Sequence, residues 1–138
     1  MSAITETRAT IAGEDFSRVA FTEECLELLR KLWAIHGPLM FHQSGGCCDG
    51  SSPMCYPAGE FKTGGADVLL GVLELTDGSG DRLGSIDFWM SKEQFEYWKH
   101  TKLTVDVVAG RGSGFSVEAP EGKRFIIRSQ IIEFPSND

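Results

Sequence analysis

Glycine placement constrains this chain more than any other feature. Eleven of its 16 glycines fall between Gly37 and Gly84, so the middle of the molecule is built from tight turns and backbone conformations that glycine reaches freely. The apolar stretches between those glycines are short. Leu39-Met40-Phe41-His42-Gln43 reads as a strand that runs into a turn-rich segment over 44–60. Asp67–Leu75 is rich in Val and Leu and suits a strand. Asp77-Gly78-Ser79-Gly80-Asp81 is a hairpin signal, and Leu83–Met90 reads as the strand that pairs back across it.

Helical periodicity appears twice. Thr22 is placed as an N-cap with Glu23 and Glu24 in the first turn, where the helix dipole favours anions. Leu26, Leu29 and Trp33 share one face, which Cys25, Leu28, Leu32 and Ile35 widen, and Gly37-Pro38 ends the helix. Ser91 with Gln94 forms a capping box for a second helix reaching about His100. Val19-Ala20-Phe21 reads as a short strand, and Leu103, Val105 and Val107 alternate as a half-buried one. Phe115–Glu118 and Arg124–Arg128 flank Pro120-Glu121-Gly122 as a final hairpin. Residues 1–17 mix Thr, Glu, Ala and Arg without periodicity and read as a flexible leader. The class expected is α+β, a single strand-rich domain with two helices.

At 138 residues one domain is expected, with a core able to bury about two thirds of the chain's surface. Charge arithmetic gives 13 − 20 = −7, which argues against a nucleic-acid partner, since phosphate neutralisation needs clustered Lys and Arg. No apolar run has the length of a membrane helix, and the polar N-terminus lacks a signal-peptide core. A cytoplasmic, reducing compartment is expected, where clustered thiols mean metal binding or redox chemistry more often than a structural bridge.

The chemistry is concentrated between His42 and Tyr56. Gly45 and Gly46 permit a turn whose backbone amides approach a bound ion or anion. Cys47, Cys48 and Cys55 are soft sulfur donors, and His42 can add an imidazole. That donor set suits iron, an iron–sulfur cluster or zinc rather than magnesium or calcium. Adjacent side chains diverge, so one of Cys47 and Cys48 is expected to join Cys55 at a shared site. Two other readings stay open: thiol redox chemistry, and small cysteines packing a tight loop. For His42 the choice is between a ligand and an inward-facing polar group of the core. Cys25 reads as core, His36 and His100 as C-terminal dipole partners, and Trp33, Trp89 and Trp98 as packing residues. Asp67, Asp87 and Asp106 read as strand-edge or solvated carboxylates. Gly110–Gly114 lacks the third-glycine spacing of a dinucleotide fingerprint, and neither a phosphate-cradling loop nor a Gly-x-Ser-x-Gly elbow occurs.

The run Ser-Gly-Gly-Cys-Cys-Asp-Gly-Ser-Ser-Pro-Met-Cys at 44–55 and the run Glu-Tyr-Trp-Lys-His-Thr-Lys-Leu-Thr-Val-Asp-Val-Val at 96–108 resemble the family catalogued as domain of unknown function 779. The resemblance spans nearly the whole chain. Members of that family are often encoded beside aldehyde dehydrogenases, and some carry the label acetaldehyde dehydrogenase. That resemblance implies an oxidoreductase partner. One domain without a nicotinamide-binding fingerprint does not supply both halves of a free-standing dehydrogenase.

A more distant likeness covers about Val19 to Phe125. A short strand, an amphipathic helix and a strand ending in Gly-Gly-Cys are similar to the HesB-like A-type iron–sulfur carriers, as is the later order of a short helix, Thr104-Val105-Asp106, Gly112-Ser113-Gly114-Phe115 and Pro120. The resemblance implies a HesB-like domain over 18–138, iron or a [2Fe–2S] cluster held by three cysteines, and a homodimer or higher homo-oligomer. The carriers' first cysteine falls on Cys47. Their C-terminal Cys-x-Cys pair has no counterpart here, because Arg128-Ser129-Gln130 stands in that region. Either the metal function is lost or the missing ligands are replaced locally; the expectation taken is the second, a set of Cys47, Cys48, Cys55 and His42. It makes the chain a small metal-binding accessory or carrier for an oxidoreductase such as an aldehyde dehydrogenase. The alternative is a thiol redox enzyme or sensor with Cys47 as nucleophile and Cys48 or Cys55 resolving.

Overall fold

The computed structural model describes residues 4–11, 17–43, 53–59, 64–77, 79–98, 101–110 and 121–131. It is an α+β fold of two four-stranded sheets and two helices. In chain order the elements are β1 (Ile4–Glu6), β2 (Val19–Thr22), α1 (Glu23–His36), β3 (Leu39–Gln43), β4 (Met54–Pro57), β5 (Asp67–Thr76), β6 (Arg82–Ser91), α2 (Lys92–Trp98), β7 (Thr101–Ala109) and β8 (Lys123–Ile131). One sheet has the order β1-β2-β7-β8 and the other β4-β3-β6-β5. Each has a parallel pair at its centre, β2 with β7 and β3 with β6, flanked by antiparallel neighbours. Both helices carry the chain from one sheet to the other, α1 from β2 to β3 and α2 from β6 to β7, so the parallel partners are separated by long stretches of chain rather than by a tight turn.

The caps behave as the sequence demands. Thr22 Oγ1 accepts the Cys25 N–H, and Gly37, at φ 80°, donates its N–H to the Trp33 carbonyl. At α2, Ser91 Oγ accepts the Gln94 N–H at 3.2 Å. In the β5–β6 turn the Asp77 carboxylate accepts from the backbone of Ser79 and Asp81.

Four phenylalanines join the layers. Phe41 has ring centroids 5.6 Å from Phe21, 5.6 Å from Phe88 and 5.0 Å from Phe125. Phe21 and Phe125 belong to one sheet, Phe41 and Phe88 to the other. Cys25, Leu26, Leu29 and Leu32 of α1 close the same core. The helix sits close to β6: a Cβ built on Gly84 would lie 2.7 Å from Cη2 and 2.8 Å from Cζ2 of Trp33. We expect Gly84→Ala to destabilise the fold by about 1–3 kcal/mol, because the indole must give way. Urea denaturation checks this, and the same substitution in a Trp33→Phe background should lose most of its effect.

Two expectations need correction. Residues 4–8 are not part of a loose leader: β1 pairs antiparallel with β2, Thr7 donates its backbone N–H to Val19 O, and Arg8 bridges Val72. The segment 44–60 is not all turn, since β4 pairs with β3 from Leu39↔Pro57 to His42↔Met54. Pro57 is tolerated there because β4 is an edge strand. β8 pairs along its length with β7. Phe115–Glu118, its expected hairpin partner, lies outside the described residues, as does His100.

Candidate functional site

Alternation along β6 sends Ile86, Phe88 and Met90 into the core and Ser85, Asp87 and Trp89 to the opposite face. The pairing of β3 with β6 sets His42 beside Trp89 and Phe41 beside Phe88. His42 therefore occupies the outer face of its sheet, yet it is only 3% exposed. Its Nε2 lies 2.7 Å from Oδ1 of Asp67, at the start of β5. The other Asp67 oxygen accepts the Gly64 N–H at 2.9 Å. The His42 hydrogen bond is the main reason that the Asp67 carboxyl sits below its usual range; burial opposes the shift and the Gly64 amide adds to it. With Asp67 ionised, Nε2–H is the donor to the carboxylate.

Cys55 points the other way. It pairs with Phe41 in register, is fully buried, and belongs to the apolar core. Residues directly opposite one another on paired strands share a face, so Cys55 and His42 project from opposite faces of the sheet. The structure does not bring these two expected ligands together. Neither Cys55 nor Cys25 is in a disulfide. Gly45, Gly46, Cys47 and Cys48 lie outside the described residues. The antiparallel β3–β4 pairing does fix both ends of the segment that carries them, with His42 and Met54 opposite each other at its neck. Among the described residues, no three His, Cys, Asp or Glu side chains form a metal-binding group.

Asp67 is the residue that sequence reasoning missed. It was expected at a strand edge or in solvent, but its side chain is 15% exposed and engaged at both oxygens. Nothing local signals the partnership, since the two residues are 25 positions apart and meet only through β6. Asp106 is likewise engaged: Arg128 Nε donates to it at 2.9 Å, and the Thr22 hydroxyl and Val107 amide donate to its other oxygen. Burial pushes the Asp106 carboxyl up, but these donors outweigh it and the net shift is downward. Trp89 is not a core residue; it lines a concavity on the outer face with Met40, Ser85 and Asp87. Cys25 lies in the core as expected. No helix of the described residues is long and apolar enough to cross a membrane.

No curated protein and no solved structure matches the chain, so the likeness to A-type carriers rests on its motifs alone. His42, Asp67, the cysteine-bearing hairpin and every strand from β3 to β8 fall within residues 28–131, the span matched by the family described as Domain of unknown function (DUF779), and the chain belongs to that family.

Proposed function

We propose that this chain is a small cytoplasmic metal-binding accessory or carrier protein that serves an oxidoreductase, with an aldehyde dehydrogenase as the first partner to try. One observation carries the reading: a buried histidine is oriented by a carboxylate at the neck of a hairpin that bears two adjacent cysteines. Metal-ligating histidines almost always give their second ring nitrogen to such a partner, which fixes tautomer and ring orientation. His42, oriented by Asp67, with Cys47 and Cys48 is the ligand set this supports; Cys55 serves the core. Gly45 and Gly46 would contribute backbone amides beside the site. Iron or an iron–sulfur cluster would supply a transferable or electron-carrying group, and zinc a closed structural centre. Three donors per chain leave a site short of a full set, which favours a homodimer sharing the metal.

The same His–Asp pair would also serve a thiol, since a base oriented by a third group is what activates a cysteine nucleophile. One preparation separates the two readings. Anaerobically purified protein should contain iron or zinc by elemental analysis, with visible charge-transfer bands if iron is present. Metal content should fall at least tenfold in Cys47→Ser/Cys48→Ser and stay near that of the parent in Cys55→Ala. A metal-free protein that takes up none on reconstitution overturns the metal reading. Reversible Cys47 disulfide formation in that protein would establish the thiol one.

A further inference from the structure

The outer face of the second sheet carries a concavity of about 290 Å³, lined by Leu39, Met40, Ala58, Gly59, Ser85, Asp87 and Trp89. Asp87 is the unusual member. Asp67 and Asp106 have donors on both oxygens, whereas no side chain or amide among the described residues donates to the Asp87 carboxylate or pairs with it. Its neighbours across the sheet are Met40 and Val72, both apolar. The nearest hydroxyl in the concavity, Ser85 Oγ, is committed elsewhere: it donates to Glu74 and accepts from Arg82. A half-buried carboxylate left, among the described residues, with a thioether, an indole and no cation is an incomplete site.

We infer that this concavity binds an alkylammonium group, with Asp87 as the counter-ion and the Trp89 ring and Met40 as its apolar walls. An ammonium is the group that completes all three contacts at once: it pairs with the carboxylate, is attracted to the indole face, and lays its alkyl chain on the thioether and ring. The volume lies at the lower end of ligand sites, which suits a short amine rather than a nucleotide. A net charge of −7 favours approach of a cation over an anion. Because Trp89 stands next to His42 in the parallel register, the two sites share a wall. The inference is nonetheless independent of metal at His42.

The test titrates the full-length protein with n-butylammonium, n-butanol and butyrate, following the Trp89 indole N–H in two-dimensional ¹H–¹⁵N spectra, with Trp89→Phe used to assign it. Butylammonium should shift this resonance saturably, and butanol and butyrate should bind at least fivefold more weakly. Asp87→Asn should weaken butylammonium at least fivefold with an unchanged spectrum elsewhere. Equal binding of amine and alcohol, an unmoved Trp89 signal, or undiminished binding by Asp87→Asn overturns the inference. The amine–alcohol comparison on the parent protein decides the matter even if the variant does not fold. A parallel titration with Nα-acetyl-lysine amide identifies the source. Tighter binding than butylammonium places the ammonium on a peptide, and weaker binding places it on a free amine.

Discussion

Replacing Phe41 by alanine should lower stability by about 3–5 kcal/mol, the largest single effect expected in this molecule. Phe41 is fully buried and touches the rings of Phe21, Phe88 and Phe125, so its removal leaves a cavity bounded by both sheets. Three stiff aromatic neighbours held by two hydrogen-bonded layers cannot collapse far into that space. The loss should therefore exceed the transfer energy of the side chain alone. A chain of this size should melt on the order of 10–20 °C lower. Calorimetry or guanidinium titration checks the figure. A loss below about 1.5 kcal/mol would mean that the two layers are not joined through this ring.

Asp67→Asn should weaken metal retention about 10–100-fold, which is the usual penalty for removing a carboxylate behind a ligating imidazole. In free energy this is about 1.4–2.7 kcal/mol. The variant keeps the shape of the side chain and loses its charge, so folding should survive. Stability offers a second readout with a defined sign. The Asp67 carboxyl titrates below its ordinary value of 3.8 in the folded chain. Its contribution is thus fully present above that value and is lost as pH falls through the depressed folded one. The stability gap between parent and Asp67→Asn should hold at pH 5 and close on acidification well below pH 4. Competition with a chromogenic chelator gives the affinity, and urea melts at several pH values give the gap. A closing gap with unchanged metal affinity would make the His42–Asp67 pair a structural clasp and nothing more.

How much of this was legible in the sequence differs from element to element. The first helix was plain, because Thr22, the spacing of Leu26, Leu29 and Trp33, and Gly37-Pro38 all mark it locally. So were β5 and β6, whose turn announces itself through Asp77 and Gly80. The strand β1 was not, since Ile4-Thr5-Glu6 has no apolar face and is held by backbone pairing with β2 and an ion pair between Glu6 and Lys102. The strand β4 was hidden by Pro53, Pro57 and Gly59, which carry turn chemistry even where the chain is extended. The site divided along the same line. His42 and the cysteines are visible as residue types, but which face each occupies depends on register, and register depends on β6. Asp67 and Asp87 both looked like ordinary strand carboxylates. Only the sheet shows that one has found a histidine and the other has found no donor among the described residues.

The arrangement of strands also dictates an order of assembly. All four strands of the β4-β3-β6-β5 sheet come from one unbroken stretch, 39–91, whereas the other sheet is made from both ends of the chain. Val19 meets Leu103 only after everything between them has been synthesised. As the chain leaves the ribosome, β2 must wait with its central partner β7 still unmade, while the internal sheet can already close. Loop closure of that span is slow compared with hairpin formation. A truncation after Ser91 would therefore leave Phe41 without its Phe125 neighbour and β2 without β7, a sticky surface rather than a smaller functional protein, and chaperone capture of nascent chains should peak between release of β6 and release of β7.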